Sequence, residues 1–298
     1  MYRLTLDQLA TLRTVINEGT FEAAAARMHV SASAVSQRVK AMEQATGRVL
    51  VRRTAPVTLT PAGDVLLRYA RQVELLEADT LRELDDDAGN GRHPLIPLAV
   101  NADSLATWFL GSLAGLGEEL GATFDLHRED QEHTASLLRA GTVMAAVTST
   151  RAPIQGCVTE PLGLMRYRAV AAPAFVASWM PRHPDLADLA AAPVVTFDRS
   201  DDLQRAFLLA RTGAAGGPSH YVPASHDFAR AVVLGIGWAL LPEQQCLSEI
   251  DDGTLVDLAP RHPVDVGLYW QRWNLASPLL DAVSRAVREA AASALHPF

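Results

Sequence analysis

Residues 21–43, Phe-Glu-Ala-Ala-Ala-Ala-Arg-Met-His-Val-Ser-Ala-Ser-Ala-Val-Ser-Gln-Arg-Val-Lys-Ala-Met-Glu, contain two helical segments separated by a short turn. The first segment ends near Met28 and is rich in alanine, whose small side chain lets another helix cross closely. After the turn, Ser31 is a suitable N-cap for a second helix that reaches about Ala45, and Gly47 closes that helix. This order of elements predicts a helix-turn-helix motif.

The residues on either side extend this motif. Apolar side chains recur at helical spacing between residues 4 and 18, Gly19 ends that helix, and Thr20 caps the next one. Two short β-prone runs follow in residues 49–60, and they predict a wing beside the helices. Arg52 and Arg53 in this wing are placed to meet phosphates.

The third helix has an apolar side and a polar side. Val35, Val39 and Met42 project together, and short polar or amide side chains project opposite to them. A recognition helix inserts such a polar face into the major groove, where Gln suits adenine and Ser suits several bases. Any amphipathic surface helix also has a polar face, so the interpretation depends on the ordered set of three helices, wing and positive charge. The predicted DNA-contacting residues are Ser31, Ser33, Ser36, Gln37, Arg38, Lys40, Arg52, Arg53 and Thr54.

Charge is distributed unevenly along the 298 residues. The chain carries 26 Lys and Arg against 34 Asp and Glu, and this formal charge of -8 is by itself not typical of a nucleic-acid-binding protein. Residues 1–60 nevertheless carry +4, residues 61–90 carry -5 and the remaining residues carry -7. A basic head on an acidic body indicates a polyanionic partner for one end only.

The N-terminal residues closely resemble the winged helix-turn-helix of LysR-type transcriptional regulators. The resemblance rests on residues 21–43, Gly47, Leu50, the Arg52-Arg53 pair and Leu59-Thr-Pro-Ala-Gly63. It implies a DNA-binding head, a long dimerising helix and a C-terminal effector-binding domain of the periplasmic-binding-protein type. It also implies that effector binding changes how dimers pair into tetramers, and thereby how promoter DNA is bent and RNA polymerase is recruited.

A long helix is predicted after the wing. Thr60 caps it, Pro61 takes its first position, and it extends to about Asp87, roughly 40 Å at 1.5 Å per residue. A narrow apolar seam on so long a helix favours pairing with the same helix of a second chain, with packing on its own domain as the alternative. The predicted dimerisation residues are Leu66, Tyr69, Val73 and Leu76.

An acidic run, Asp85-Asp-Asp87, and the Gly- and Pro-containing residues up to Pro94 mark a domain boundary after this helix. The predicted domains are a winged helix-turn-helix head (1–60), a linker and dimerisation helix with a hinge (61–90) and a two-lobed effector-binding domain (91–298, with one lobe at about 91–160 and 267–298 and the other at about 161–266).

The C-terminal body alternates strand and helix signals. Strand-like residues 95–100, 123–128 and 143–148 enclose helical segments 105–120 and 134–140, and this order predicts a mainly parallel sheet with helices on both faces. The later predicted elements are strands at 167–171, 194–197, 238–241 and 266–270 and helices at 203–212, 227–235 and 278–295. The predicted fold class is therefore α/β, with a winged helix-turn-helix head, a long dimerisation helix and, from the resemblance, a two-lobed periplasmic-binding-protein-like effector domain.

Ligands of such sheets bind at the carboxyl ends of the strands, near helix N-termini. The strand ends of this chain are unusually acidic and suit a cation, and Ser104 at the start of a helix suits a carboxylate. Together they predict a basic amino acid as effector. Asp and Ser are also the commonest helix N-caps, so each residue has a purely structural alternative. The predicted effector-binding residues are Asn101, Asp103, Ser104, Glu129, Asp130, Thr148, Asp198, Ser225 and Asp227.

Several stretches of the body resemble the arginine/lysine-responsive ArgP/LysG branch of the family. They are residues 99–108, residues 192–198 with Asp201-Asp202 and Ala206-Phe-Leu208, and Leu268-Tyr-Trp270. The similarity runs nearly the whole chain and implies an activator of genes for basic amino-acid export and metabolism. It assigns the effector role to Asn101, Asp103, Ser104, Glu129, Asp130 and Asp198. Residues 211–223, rich in Gly and Ala, match no pattern that we can interpret.

Common enzyme signatures do not occur in the sequence. Gly-x-Ser-x-Gly, Gly-x4-Gly-Lys and His-Glu-x-x-His are absent, and Gly235-Ile-Gly237 lacks the third glycine of a dinucleotide fingerprint. The His127/His133 pair has no usual metal spacing, and two cysteines are too few for a disulfide framework and fit a reducing compartment. We predict no enzymatic activity, no metal and no cofactor apart from the small-molecule effector.

The sequence shows no signal core and no apolar run of the ~18 residues that a membrane span needs. We therefore expect a cytoplasmic, nucleoid-associated bacterial regulator that binds double-stranded promoter DNA, RNA polymerase and an amino-acid effector, without a membrane partner. Its expected assembly is a homodimer that forms a dimer of dimers. The alternative is an effector-independent nucleoid or replication-origin DNA-binding protein, which ligand-independent footprints would reveal. A solute-binding protein is disfavoured by the basic head and the missing signal peptide.

Overall fold

The computed structural model describes residues 4–84, 93–128, 131–181 and 186–298. The head has the predicted three helices and two-stranded antiparallel wing. Its elements are α1 (Leu6–Glu18), α2 (Phe21–Met28), α3 (Ala32–Thr46), β1 (Val51–Arg52) and β2 (Thr58–Leu59).

Local signals set the ends of the head helices. Ser31 Oγ accepts a hydrogen bond from the Ala34 N–H at 3.2 Å and so caps α3. Gly19 and Gly47 end α1 and α3 with φ of 74° and 64°, a left-handed conformation that costs glycine little. The predicted helix ends are therefore confirmed to within a residue or two.

The long helix α4 (Pro61–Leu84) belongs to two hydrophobic cores. Thr60 caps it, because its Oγ1 accepts from the Gly63 N–H at 3.1 Å. Leu66 and Ala70 in its first half are buried in the head core, and Leu75 in its second half is buried in the effector-domain core. The predicted continuation to residue 87 lies outside the described residues.

The effector domain is built on a mixed sheet. Its strands are β3 (Leu95–Val100), β4 (Thr123–Arg128), β5 (Ala145–Thr148), β6 (Cys157–Ala171), β7 (Val194–Thr196), β8 (Ser219–Tyr221), β9 (Ala239–Pro242), β10 (Val256–Asp257) and β11 (Val264–Trp273). The main sheet has the order β10-β6-β11-β5-β3-β4, and β9 also pairs with β6. We call the part around β3, β4 and β5 the first lobe and the part around β7, β8 and β9 the second lobe.

Helices cover these strands. They are α5 (Ala102–Ser104), a π-helical turn (Leu105–Phe109), α6 (Leu110–Leu113), α7 (Leu116–Leu120), α8 (Gln131–Ala140), α9 (Pro173–Trp179), α10 (Leu186–Leu189), α11 (Leu203–Thr212), α12 (Ser225–Val233), a 3-10 turn (Glu243–Gln245), α13 (Leu247–Asp251) and α14 (Pro278–Ala294). The main core includes Val283 and Val287 of α14 and Trp270 and Trp273 of β11, all buried. Among the described residues, no helix is long and apolar enough to cross a membrane.

Four features of the effector domain differ from the sequence prediction. The β3–β4 and β3–β5 pairs are parallel as predicted, but the ladders of β6 and β11 are antiparallel. The helix predicted from Leu105 begins at Ala102 and is interrupted before α7, where Gly115 is left-handed with φ 76°. Strand β6 begins at Cys157, well before the predicted Tyr167. The earlier part was missed because Pro161 and Gly163 are unusual within a strand and interrupt its sequence pattern. The uninterpreted residues 211–223 contain β8.

Strands β6 and β11 connect the two lobes as one antiparallel ribbon. The pairing runs from Cys157 with Trp273 to Tyr167 with Val264, and Leu162 is an extra residue that forms a bulge. The lobe boundaries expected near residues 160 and 266 fall inside these two strands. Side chains on the ribbon therefore lie between the lobes.

Candidate DNA-binding face and effector cleft

The polar face of α3 is exposed. Ser33, Gln37 and Lys40 are accessible on the side of the helix away from the buried Val35 and Val39. A helix that reads base edges needs accessible side chains of this kind near its N-terminus. The geometry thus provides a surface on which the predicted base contacts can form.

Positive charge from the wing lies against this helix. Arg53 Nη2 donates to Ser36 Oγ at 3.4 Å, and the Arg53 guanidinium lies 5.1 Å from the centroid of the Phe21 ring. Arg52 is exposed next to it. Two guanidinium groups beside a recognition helix suit the phosphates that flank a major groove.

Three further predicted DNA contacts have roles within the head itself. Ser31 caps α3. The half-buried Arg38 donates from Nη1 to Thr11 Oγ1 at 3.3 Å and so ties α3 to α1. Thr54 Oγ1 donates to the Pro56 carbonyl at 2.6 Å in the wing turn. The sequence pattern identified these side chains as polar and near the face, but it did not show that the fold engages them.

The predicted dimer seam is split by the packing of α4. Leu66 is 8% exposed in the core of its own head, and Val73 is half-buried against the same core. Tyr69 and Leu76 are 49% and 42% exposed, and Val65 is 58% exposed on the same side of the helix. The outward stripe is therefore Val65, Tyr69 and Leu76, and Leu66 is not part of it.

A partly buried polar cluster lies between the lobes of the effector domain. Asp103 of α5 accepts from the Tyr167 hydroxyl at 2.8 Å and from the Ser225 hydroxyl at 2.9 Å, one on each carboxylate oxygen. Ser225 Oγ in turn accepts from Gln245 Nε2 at 3.2 Å. We call these four residues the Asp103 cluster. It joins α5 of the first lobe, the crossing strand β6 and the start of α12 in the second lobe.

Burial controls the ionisation of this cluster. Loss of hydration raises the pKa of the Asp103 carboxyl, and the hydrogen bonds from Tyr167 and Ser225 oppose that rise. Burial also raises the pKa of the Tyr167 phenol well above its ordinary value, and nearby Asp103 adds to this. Tyr167 is therefore a stable proton donor to Asp103. In the described part of the chain, Asp103 has two hydroxyl donors and no cationic partner.

Two further oxygens at the start of α5 are buried. Asn101 precedes the helix without capping it through its side chain, and Ser104 lies in the first turn. Asn101 Oδ1 and Ser104 Oγ have no hydrogen-bond partner among the residues that the structure describes. Unpaired buried polar atoms are costly, so a bound molecule with hydrogen-bonding groups would compensate them.

The other predicted effector residues lie in different settings. Thr148 is buried and its Oγ1 accepts from the Thr150 N–H at 3.1 Å. Asp198 closes its own loop, where it accepts from the Ser200 N–H at 2.7 Å. Asp227 is exposed on α12. Glu129 and Asp130 lie outside the described residues. The structure therefore joins Asp103 and Ser225 of the predicted set, with Asn101 and Ser104 in the same helical turn as Asp103.

Arg128 provides a second contact between the lobes. At the end of β4, its Nη1 donates to the Pro223 carbonyl at 3.2 Å, and its guanidinium lies 5.8 Å from the centroid of the Phe197 ring. Sequence reasoning missed Arg128, Tyr167 and Gln245 as cleft residues. Arg128 ends a predicted strand, which is a usable signal, whereas nothing near Tyr167 or Gln245 in the chain marks them.

No group of three or more His, Cys, Asp or Glu side chains among the described residues is arranged to hold a metal ion. The cleft instead offers the Asp103 carboxylate, with that of Asp201 close enough to raise its pKa further, neutral hydroxyl and amide groups, and a guanidinium at its edge. This set suits a small polar organic molecule that carries a positive charge.

Comparison with known proteins identifies both parts of the chain. Residues 6–64 match the model for the bacterial regulatory helix-turn-helix protein, lysR family, and residues 97–292 match the LysR substrate binding domain. The HTH-type transcriptional regulator LysG of Mycobacterium tuberculosis is 45% identical over 97% of this chain and 94% of its own length. The lysine export transcriptional regulatory protein LysG of Corynebacterium glutamicum is 42% identical over 97% of this chain and 99% of its own length.

A solved structure shows the same architecture. The full-length LysG of Corynebacterium glutamicum with bound effector Arg has a TM-score of 0.77 and 41% identity, and the match covers 98% of this chain and all of that one. The winged head, the long helix and the two-lobed domain thus recur in the same order. The chain belongs to the LysR family of bacterial helix-turn-helix regulatory proteins.

Proposed function

We propose that this chain is a transcriptional regulator whose effector domain binds arginine or lysine and thereby controls genes such as a basic amino-acid exporter. The observation that carries the proposal is the Asp103 cluster. Asp103 is a half-buried carboxylate that receives two hydrogen bonds and has no cationic partner among the described residues. A guanidinium or ammonium group of a ligand would supply the missing charge.

The relatives support the same class of effector. A protein 41% identical to this chain was solved with bound Arg, and a second relative is named for lysine export. Ser104 Oγ–H in the first turn of α5 can donate to the α-carboxylate of such a ligand, and Asn101 Oδ1 can accept from its ammonium group. Arg128 at the cleft edge offers a second site for that carboxylate.

The DNA-binding role of individual residues is part of this proposal. Gln37, Ser33 and Lys40 would contact base edges, and Arg52 and Arg53 would contact phosphates. Two heads joined in a homodimer would place their α3 helices in successive major grooves. Recruitment of RNA polymerase and pairing of dimers into tetramers complete the proposed mechanism.

The exposed stripe on α4 supports a dimer through this helix. Tyr69 and Leu76, with Val65, form an apolar surface of the kind that two such helices bury against each other. Sedimentation of the full-length chain tests this assembly. A species that stays monomeric at micromolar concentration would contradict it.

Calorimetric titration of the full-length chain with arginine, lysine and leucine tests the effector. We expect arginine, lysine or both to bind, and leucine to bind much more weakly because it leaves Asp103 uncompensated. Tight binding of leucine, or no binding of either basic amino acid, would contradict the proposal. Footprints that are identical with and without the ligand would instead favour an effector-independent DNA-binding protein.

A further inference from the structure

Two buried charges on one face of α4 contact the effector domain of the same chain. Arg71 and Asp79 are each 7% exposed, and Leu75 between them is 2% exposed. A spacing of four residues places all three side chains on one side of the helix. We call Arg71, Leu75 and Asp79 the docking face.

Arg71 sits where the head, α4 and the first lobe meet. Its Nη1 donates to the Gly141 carbonyl at 2.6 Å and also to the Thr142 carbonyl. These residues directly follow α8, so the guanidinium lies at the partially negative end of that helix. Its Nη2 donates to Asn17 Oδ1 of α1 at 3.4 Å. One side chain thus contacts both the head and the effector domain.

Asp79 places a negative charge at the positive end of another helix. Its Oδ1 accepts from the Leu279 N–H at 3.3 Å in the first turn of α14, which is the partially positive end of that helix. Ser277, the N-cap residue of α14, accepts from the Leu280 N–H. The end of α14 is therefore capped partly by its own residue and partly by α4. A cation at the end of α8 and an anion at the start of α14 hold α4 in one position.

This composition suits a contact that can open. Buried charges lose hydration, which offsets much of their attraction, and burial lowers the pKa of Arg71 to about 10. Asp79 Oδ2 is buried without a hydrogen-bond partner among the described residues, so the docked charge is incompletely satisfied. On separation both charges regain water, and the apolar surface uncovered from the docking face is mainly that of Leu75. A wholly apolar face would bury more apolar area and hold more tightly.

The residues on which Arg71 docks are connected through one helix to a residue at the edge of the cleft. Arg71 is bonded to the residues that follow α8, and the strand before that helix is β4. The last residue of β4 is Arg128, which contacts Pro223 and Phe197 of the second lobe. Helix α8 thus lies in the chain between the lobe contact of Arg128 and the carbonyls on which Arg71 docks.

We propose that the Arg71–Leu75–Asp79 face is a reversible dock that sets the position of the DNA-binding head relative to the effector domain. In the released state, α4 stays attached to the head through Leu66 and Ala70 in the head core. Release therefore moves the head and α4 together. Control of this dock by a basic amino acid rests on the proposed function, whereas the dock itself does not.

Hydrogen exchange of the full-length chain without ligand tests the dock. We expect Arg71→Gln and Asp79→Asn to speed exchange in the first turn of α14 and in residues 72–80 about tenfold or more, because each removes a charged hydrogen-bonding partner. Exchange in the head core should stay unchanged. The matched controls are Glu77→Gln and Arg285→Gln, which remove the same charges from exposed positions on α4 and α14.

Equal exchange in the dock variants and the controls would overturn the dock. Should Arg71→Gln loosen the whole chain, Asp79→Asn decides by the same criterion, because its side chain keeps the oxygen that accepts from Leu279. Local loosening confined to the dock is the supporting result.

Binding to a DNA fragment selected in vitro with the wild-type chain tests the link to the head. We expect the two dock variants to change affinity about threefold or more, and the two controls to leave it unchanged. Unchanged affinity in dock variants that do exchange faster would overturn the link.

Exchange with added arginine or lysine tests control by the effector. A change in protection of the first turn of α14 in the wild-type chain supports that control. Ligand that binds in calorimetry but leaves this protection unchanged would overturn it. If neither amino acid binds, the proposed function fails, and the ligand-free exchange and DNA measurements still decide the dock.

Discussion

The head and the cleft present polar side chains in opposite states. On α3, Gln37 and Ser33 are exposed, whereas in the cleft the half-buried Asp103 and the buried Ser225 are hydrogen-bonded to each other. DNA can contact Gln37 and Ser33 without breaking a hydrogen bond that the structure records for their side chains. A cleft ligand must join or replace bonds among buried groups, where each unmade bond is expensive. The cleft is therefore built for selectivity toward one small molecule, and the head for contact with a large charged surface.

Asp103→Asn should produce the largest effect, on the cleft side of this comparison. The variant keeps the size of the side chain but removes its charge, so a cationic ligand would be buried without a partner. We expect arginine or lysine to bind about 2–5 kcal/mol more weakly in calorimetry. Asp251→Asn is the control, since Asp251 is exposed on α13, lies outside the predicted effector-binding set and should leave affinity unchanged. Wild-type affinity in Asp103→Asn would remove the contrast between cleft and head.

The pH dependence should separate the same two regions. Because burial raises the pKa of Asp103 above its ordinary value of 3.8, the folded chain without ligand holds this proton to higher pH than the unfolded chain. Asp103 therefore makes stability fall as pH rises from that ordinary value to the raised one. A cationic ligand favours the carboxylate, so its affinity should rise with pH over the same range and then level off.

The difference between wild type and Asp103→Asn isolates these pH effects from the other carboxyl groups. Calorimetry at several pH values should show that the variant lacks the rise in affinity. The pH dependence of DNA binding by the head should be the same in wild type and in Asp103→Asn. Equal affinity profiles for the ligand in the two proteins would contradict an ionised Asp103 in the complex.

Gln37→Ala should produce a smaller, sequence-dependent effect on the head. We expect a loss of about 1–3 kcal/mol on a selected DNA fragment and little loss on random DNA, because the side chain would contact a base edge. Filter binding to both DNAs at one salt concentration measures the difference. Equal losses on the two DNAs would show that Gln37 does not read bases.

Ser31→Ala should have the smallest effect, and it tests whether a predicted DNA contact serves the fold instead. Loss of the cap on α3 should cost about 1 kcal/mol of local stability, seen as faster hydrogen exchange in the first turn of that helix. Ser33→Ala is the matched control, because Ser33 is exposed and does not cap the helix. If the two variants exchange alike, the cap contributes nothing measurable.

The head could be predicted almost completely because its signals are local. Ser31, Gly19 and Gly47 lie within a few residues of the helix ends that they set, and the capping bonds confirm them. The exceptions are residues with distant partners. Arg38 bonds to Thr11, 27 residues away, and a helical projection of α3 alone contains no information about that contact.

The cleft could be predicted only in part, for the same reason. Asp103 was found because it follows a predicted strand and begins a helix, and Ser225 because it lies just before a predicted helix; both are local patterns. Their contact joins residues 122 positions apart, and Tyr167 reaches Asp103 across 64 positions. Strand and helix signals predict that such segments meet at a cleft, but they do not specify which side chains touch.

The α4 seam shows a limit of another kind. The spacing of Leu66 and Leu76 correctly placed them on the apolar side of α4. That spacing does not show whether each residue packs on its own chain or on a second chain. Leu66 packs in its own head, and Leu76 stays exposed. The two residues differ in burial, because Leu66 lies in the head core and Leu76 does not, and spacing along the helix cannot predict that difference.

The bulge at Leu162 gives the β6–β11 ribbon a built-in flexing point. On both sides of it, the paired strands resist shear, because sliding one against the other would break a whole row of backbone hydrogen bonds. Bending at the bulge breaks none of them. The Leu162 bulge is therefore the place in the ribbon where the angle between the lobes can change with the least disturbance to the β6–β11 ladder. Tyr167 lies beyond this bulge, where β6 pairs with β9 of the second lobe, so its hydrogen bond to Asp103 spans the bend.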